Sequence, residues 1–260
     1  STMFEAFQGV DTAYFMVHFL NEKFDFEAME IEAAENFASM ARGAGVKRIV
    51  YLGALGNESD DGLSPHLRSR HDVGHALRQS GVPTVELRAS IVLGEGSLSF
   101  DLIRDLSEHL PFMVTPRWVS TKAQPIGVRD LLDYLVQSLD VHIDRDEIVE
   151  IGGADRMSYG DLMREYVRQR GLKRLMIPVP ALTPWLSSHW ISFFSSVDVH
   201  VARKLIEGIK NPTVVESNRA RELFSIQPSS ASEAMRDAVA SLPMTEDGLE
   251  ALAHATMAHG

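Results

Sequence analysis

The stretch from residue 46 to residue 90 limits the fold more than any other part of the sequence. The apolar run Val46-Lys-Arg-Ile-Val-Tyr-Leu-Gly-Ala54 is typical of a buried strand. Ser64-Pro65 suit the N-cap and first position of a helix that ends before Gly81-Val-Pro83. Thr84-Val-Glu-Leu-Arg-Ala-Ser90 then predicts another strand. Strand, helix and strand in this order indicate an α/β layered fold.

The same alternation continues on both sides of this stretch. Further strands are predicted at residues 12–18 and 148–153, and helices at 100–110 and 130–139. Asp25 can cap an earlier helix, and a capping box at Ser158 and Asp161 opens a later one. Three of these helices have a row of residues that is predicted to face inward. The rows are Met29, Ala33, Phe37 and Met40 on the helix after Asp25; Leu131, Leu132, Leu135, Val136 and Leu139 on the helix at 130–139; and Tyr159, Leu162, Met163, Tyr166 and Val167 on the helix after Ser158.

Composition excludes several classes of function. The formal net charge of −11 disfavours non-specific attraction to nucleic acid or to an anionic membrane. The chain has no cysteine, so disulfides, thiolate nucleophiles and cysteine-bound zinc are excluded. The N-terminus lacks the features of a signal peptide, and no apolar run is long enough for a transmembrane helix. We therefore expect a cytoplasmic location.

Several segments together resemble the short-chain dehydrogenase/reductase superfamily, in particular its atypical branch of NmrA-like and nucleoside-diphosphate-sugar epimerase-like proteins. Besides the stretch above, they are Gly9-Val-Asp-Thr-Ala-Tyr-Phe-Met-Val-His18, Gln124-Pro-Ile-Gly-Val-Arg-Asp130 and Glu150-Ile-Gly-Gly153. The resemblance implies a Rossmann-like, doubly wound parallel sheet with a smaller, mostly helical C-terminal lobe. It divides the chain into a partial NAD(P)-binding domain at residues 3–153, a substrate lobe at 154–243 and a flexible tail at 244–260.

The family's glycine-rich phosphate turn is missing from this sequence. No Gly-x-Gly-x-x-Gly occurs, and Gly94-Glu-Gly96 and Gly152-Gly153 are interpreted as turns. The resemblance implies that the N-terminal strands carrying that turn are absent. The strand at residues 12–18 would then be an open apolar edge, which predicts a homo-oligomer formed through it. NAD or NADP is the implied cofactor, and the sequence does not distinguish them.

The family's catalytic residues are replaced. Its tyrosine and lysine, one helical turn apart, correspond to His66 and Arg70, and its serine corresponds to Gly53 or Ala54. A histidine can transfer protons near neutral pH, and an arginine can hold a ribose or a phosphate. His66 and Arg70 are therefore the candidate catalytic pair. The alternative is a polar helix surface without a catalytic role.

Other positions carry weaker predictions. His18 lies at a strand end where cofactors bind in α/β sheets, and Ala89, Ser90 and Ile91 match the family region that lines the nicotinamide; with Gly53 and Arg70 they form the predicted cofactor set. His71 and His75 have a metal-chelating spacing, but no third ligand is evident, so no metal site is predicted. Four aromatic residues are interpreted as either a pocket or a core: Trp185, Trp190, Phe193 and Phe194.

Two functions remain open. The first is an atypical oxidoreductase or epimerase-like enzyme that binds NAD(P) and a small-molecule substrate. The second is a non-catalytic nucleotide sensor, assembly factor or scaffold with the same fold. Loss of the serine, tyrosine and lysine favours the second, whereas the retained one-turn spacing of His66 and Arg70 favours the first.

Overall fold

The computed structural model describes residues 2–19, 26–109, 112–178 and 199–243. The strands there are β1 (Thr12–Phe15), β2 (Arg48–Ala54), β3 (Thr84–Ala89), β4 (Val92–Leu93), β5 (Phe112–Thr115), β6 (Lys122–Ala123), β7 (Ile126–Gly127), β8 (Glu147–Ile151), β9 (Met157–Ser158) and β10 (Leu175–Pro178). The helices are α1 (Thr2–Ala6), α2 (Phe26–Gly43), α3 (Pro65–Gln79), α4 (Leu98–His109), α5 (Val128–Gln137), α6 (Tyr159–Gln169), α7 (Val199–Ile209), α8 (Arg219–Leu223) and α9 (Ala231–Ala240), with a 3₁₀ turn at Arg117–Ser120.

A four-stranded parallel sheet organises the described residues, in the order β1-β2-β3-β8. The register pairs Thr12 with Arg48, Ile49 with Thr84, and Val85 with Glu147. Because all four strands run in the same direction, their carboxyl ends meet at one edge of the sheet. Two separate apolar clusters cover the two faces, one with α2 and α3 and the other with α5 and α8. The predicted α/β, Rossmann-like doubly wound architecture is confirmed.

Local sequence signals place the helices that flank the sheet. Ser64 is the N-cap of α3: its hydroxyl accepts a hydrogen bond from the Leu67 N–H at 3.3 Å, and Pro65 occupies the first turn. Ser158 and Asp161 form the predicted capping box at the start of α6. Gly81 turns the chain after α3 with a φ of 77°, which favours glycine. These predictions are confirmed, whereas the predicted cap Asp25 lies outside the described residues.

Two of the predicted inward rows are partly wrong. On α2 the fully buried residues are Glu30, Ala34, Ala38 and Ala41, one position later than predicted, and Met29 is 40% exposed. On α5, Leu131 is buried, but Leu132, Val136 and Leu139 are exposed. The α2 row is displaced because a buried carboxylate, described below, binds partners inside the protein. The predicted row on α6 is buried or partly buried throughout.

The outer edge of β1 has no strand partner within the described residues. Tyr14 on this strand donates its hydroxyl proton to the Leu135 carbonyl at 2.8 Å, which ties the edge to α5. The predicted homo-oligomer through this edge stays a prediction. Among the helices that the structure describes, none combines the length and apolar character needed to cross a membrane.

The predicted division at residue 153 also stays a prediction. One apolar cluster contains residues from both sides of it, including Phe100, Ile103, Leu162 and Met235. The aromatic residues Trp185, Trp190, Phe193 and Phe194 and the predicted tail at 244–260 lie outside the described residues.

Candidate functional site

A small cavity of about 100 Å³ lies at the carboxyl ends of β2 and β3, next to the first turn of α3. Open α/β sheets bind their ligands at this edge. We call it the histidine cavity, and its lining residues are Ala54, Leu55, His66, Leu67, Ala89, Ser90, Ile91, Ser99, Tyr159, Leu205, Gly208, Ile209 and Thr213. The site therefore combines the sheet edge with α3, α4, α6 and the C-terminal part of α7.

His66 is the titratable base of this cavity. The Ser64-Pro65 helix start fixes its position on the first turn of α3. Its ring centroid lies 5.1 Å from that of His18, which follows β1. The Nδ1 atom of His66 is shielded from solvent and has no hydrogen-bond partner among the described residues. An imidazole nitrogen in this condition is available to a ligand that enters the cavity.

Both histidines are neutral at neutral pH. Burial, with smaller contributions from His18 in its protonated form and from the positive charge of Arg70, lowers the pKa of His66 to about 3. Burial likewise lowers the pKa of His18 to about 4, with contributions from Arg70 and Lys204. His66 is therefore suited to accept a hydrogen bond and not to act as a cationic acid. Its low pKa makes it a weak base, which takes a proton only from a group that becomes strongly acidic, such as a hydroxyl that is losing a hydride.

These lowered pKa values predict a loss of stability on mild acidification. The unfolded chain binds protons at histidine near a pKa of about 6.5 whereas the folded chain does not, so acid favours unfolding. Between about pH 7.5 and about pH 5.5, each such histidine reduces the free energy of unfolding by about 1.4 kcal/mol. Urea denaturation at the two pH values should show a smaller pH-dependent loss in His66→Gln and in His18→Gln.

His142 provides the matched control for this prediction. Its side chain is 89% exposed, so His142→Gln should leave the pH-dependent loss of the wild-type protein unchanged. An equal loss in the wild type and in both variants would show that His18 and His66 titrate normally in the folded protein.

Arg70 does not line the cavity; its guanidinium lies beneath it. Nη1 donates to the Val17 carbonyl at 3.1 Å, and Nη2 donates to the Leu52 carbonyl at 2.8 Å. The group also lies 4.9 Å from the ring centroid of Tyr51 and 3.8 Å from Oε1 of Glu30. These contacts link the ends of β1 and β2 to α3 and leave little of Arg70 for a ligand.

Glu30 is the centre of this buried network. Only 1% of it is exposed, and Oε1 accepts the Phe19 N–H at 2.9 Å. Oε2 accepts the Ser69 hydroxyl at 2.5 Å, and Nε2 of His18 lies 3.5 Å from Oε1. The carboxylate explains why the buried row of α2 begins at Glu30. The amphipathic pattern of α2 did not indicate it, because a glutamate counts as a surface residue in such a pattern.

The structure brings together five of the predicted site residues. Ala89, Ser90 and Ile91 line the histidine cavity together with His66, and His18 contacts His66. Gly53 lies elsewhere: a Cβ there would face Tyr51 at 3.1 Å and the Glu86 carboxylate at 3.4 Å. Its neighbour Ala54 lines the cavity instead, because alternate residues of a strand face opposite sides.

Three polar residues of the cavity were not predicted as site residues: Ser99, Tyr159 and Thr213. The Tyr159 hydroxyl is hydrogen-bonded to Ser99, and the Thr213 hydroxyl oxygen lies 2.6 Å from that of Ser90, a predicted residue. Tyr159 follows the recognised N-cap Ser158, but its inward position was interpreted only as packing. Thr213 follows Asn211-Pro212, where the sequence indicated only the end of a helix. Nothing in the sequence places it beside β3.

These residues fit one end of a nicotinamide dinucleotide. The cavity is smaller than the roughly 300–1,000 Å³ typical of a whole ligand site, and it presents one imidazole and the Ser90–Thr213 hydroxyl pair. A ring-sized group such as nicotinamide matches this chemistry. Within the described residues, no glycine-rich turn at a helix start offers N–H groups to a diphosphate. Among the described residues, only the nicotinamide end of the cofactor therefore finds groups that match it.

The two histidines with metal-chelating spacing do not form a metal site. His71 Nε2 lies 2.9 Å from the Ala54 carbonyl, and His75 Nε2 lies 2.7 Å from the Gln79 amide nitrogen. Across the ranges that the structure covers, no three histidine, aspartate or glutamate side chains come together in a way that could hold a metal ion.

Solved structures show which fold this is. Triphenylmethane reductase from Citrobacter sp. is 17% identical with a TM-score of 0.70, over 92% of this chain and 79% of that chain. A nucleoside-diphosphate-sugar epimerase from Staphylococcus aureus is 16% identical with a TM-score of 0.69, over 90% and 79%. MoeE5, solved with UDP-glucuronic acid and NAD, is 12% identical with a TM-score of 0.69, over 92% and 82%.

Sequence comparisons add nothing to this, since no family model and no curated protein matches the chain. The protein therefore has the Rossmann-like fold of these reductases and epimerases, as its resemblance to the atypical short-chain dehydrogenase/reductase superfamily predicted.

Proposed function

We propose that this protein binds NAD or NADP through the nicotinamide end in the histidine cavity, beside a small-molecule substrate. The observation that carries the proposal is the unpartnered Nδ1 of His66 at the carboxyl ends of β2 and β3. Solved neighbours support the choice of cofactor: the Citrobacter reductase was solved with NADP(H), and MoeE5 with NAD. The cytoplasmic location stays a prediction.

His66 is the group that would transfer a proton in this site. A bound nicotinamide supplies or accepts a hydride. Because His66 is neutral, it can take the proton from a substrate hydroxyl during oxidation. Ser90 and Thr213 can orient that hydroxyl, since their own hydroxyls are close to each other and to the cavity. Arg70 supports the site by holding the ends of β1 and β2 in place.

A non-catalytic role of the same site is the second candidate. It is favoured by the contacts of Arg70, which leave the guanidinium no role at a ribose, and by the absence of a hydroxyl at Gly53 and Ala54. In such a protein the histidine cavity would sense a nucleotide without turnover.

A calorimetric comparison of ligands tests the binding proposal. The full chain is titrated with NADH, NADPH and reduced nicotinamide mononucleotide. Because the described residues would contact only the nicotinamide end on this proposal, we expect the three dissociation constants to agree within about tenfold, which corresponds to about 1.4 kcal/mol. His66→Phe, which fills the cavity with an apolar ring, should abolish binding, whereas His142→Phe at an exposed site should not.

The outcomes separate the candidates. Binding lost in His66→Phe, together with oxidation or reduction of a triphenylmethane dye or a UDP-sugar that falls at least about a hundredfold in His66→Ala, supports the enzyme. Binding without such turnover supports the sensor. Absence of binding by all three ligands, or binding unaffected by His66→Phe, contradicts both.

A further inference from the structure

A second cavity lies beyond the carboxyl end of β8 and has a volume of about 410 Å³. Its walls come from residues 152–154, from residues 215–218 and from Arg221 on α8. It shares no lining residue with the histidine cavity. Its volume falls within the roughly 300–1,000 Å³ typical of small-molecule sites. We call it the β8 cavity.

The walls of the β8 cavity are held in place by side chains. The Gln124 amide donates to the Gly153 carbonyl at 2.7 Å and accepts the Val215 N–H at 3.1 Å. Oε2 of Glu150 accepts the N–H groups of Glu216 at 2.7 Å and Ser217 at 2.9 Å. The segment at residues 215–217 is therefore fixed before any ligand arrives, which lowers the entropy cost of binding.

Several hydrogen-bond donors at this cavity make no bond to a described residue. Tyr134 lines the cavity and packs edge-on against Phe224 at 5.2 Å, and no described residue accepts a hydrogen bond from its hydroxyl. Arg221 forms no ion pair within the described ranges, and the Asn218 side chain does not cap α8.

Two arginines and two carboxylates line the cavity. Arg156 donates one hydrogen bond to the Val215 carbonyl at 2.6 Å, and Glu150 is occupied by two N–H groups. Glu216 and both arginines are exposed to solvent, and Arg221 is the cation that forms no ion pair within the described residues. Burial raises the pKa of Tyr134, so its hydroxyl remains a neutral donor, and Arg221 is close enough to oppose that rise.

We propose that the β8 cavity binds a small molecule through a phosphate or carboxylate group, with Arg221 supplying the charge and the Tyr134 hydroxyl a hydrogen bond. Arginine binds both groups through paired N–H donors. This site is independent of the histidine cavity and of the proposed nicotinamide binding.

Titration with two simple anions tests the proposal. The full chain is titrated calorimetrically with inorganic phosphate and with citrate, at constant ionic strength maintained with sodium chloride. We expect saturable binding of at least one anion, which also identifies the preferred group. Arg221→Gln should weaken it about tenfold or more, because a charged hydrogen bond is lost. Tyr134→Phe, which keeps the ring against Phe224, should weaken it several-fold.

Arg129 provides the matched control. It is 78% exposed and pairs with Asp237 away from the cavity, so Arg129→Gln should bind like the wild type. Absence of saturable binding by both anions overturns the proposal. So does an equal affinity in Arg221→Gln and the wild type, which would show that the anion binds elsewhere.

Discussion

Glu86→Ala is expected to reduce the free energy of unfolding by about 3–5 kcal/mol, the usual effect of removing one partner of a buried ion pair. Glu86 lies on β3 with no exposed surface, and its Oε1 accepts a hydrogen bond from the Nε–H of Arg88 at 2.6 Å. Oε2 forms an ion pair with Arg78. Both arginine side chains are largely buried, so the substitution leaves two positive charges that only the carboxylates of Glu58 and Asp146 offset among the described residues. Urea denaturation measures the loss.

A double-mutant cycle with Gly74 identifies the cause. A Cβ on Gly74 of α3 would overlap the carboxylate of Glu86, so Gly74→Ala should destabilise the wild type but should be tolerated when Glu86 is already alanine. Asp11→Ala, in the exposed pair with Lys47, should have no measurable effect. A loss below about 1 kcal/mol in Glu86→Ala would show that water reaches the two arginines.

This cluster also shows where sequence-based prediction stops. The run from Thr84 predicted a strand, and a period of two places Glu86 and Arg88 on the same face. The pattern could not show that the face is buried, because charged residues on a strand normally indicate solvent. Only packing of α3 at Gly74 encloses them. The strands at β2 and β3 and the helix caps at Ser64 and Ser158 follow local rules and were predicted correctly, whereas the parallel direction of the sheet was implied by the resemblance.

The site shows the same limit. Ala89, Ser90, Ile91 and His66 could be placed at one sheet edge, because parallel strands end together and Ser64-Pro65 fix the start of α3. Contacts between residues distant in sequence could not be placed, such as Thr213 beside Ser90. No local pattern encodes such pairs. The spacing of His66 and Arg70 was correctly observed, but spacing does not show which way a long side chain points.

Arg70→Ala is expected to reduce the free energy of unfolding by about 3–5 kcal/mol, because Glu30 then remains buried without its cation. Two charge-assisted hydrogen bonds, to the carbonyls of Val17 and Leu52, are lost at the same time. Arg70→Lys should recover only part of the loss, since a single ammonium group cannot reproduce the paired donors of the guanidinium. Urea denaturation of both variants and of the wild type provides the measurement.

His66→Ala is the matched comparison on the same helix. Its Nδ1 has no hydrogen-bond partner in the described residues, so truncation should cost much less stability than Arg70→Ala while removing NADH binding. On this proposal Arg70 stabilises the fold and His66 contacts the ligand, although the two occupy the positions of one catalytic pair in the resembling family. The opposite result would be an Arg70→Ala variant that loses NADH binding while its free energy of unfolding stays within about 1 kcal/mol of the wild type. Arg70 would then hold the ligand, and its hydrogen bonds to Val17 and Leu52 would have to break when the cofactor binds.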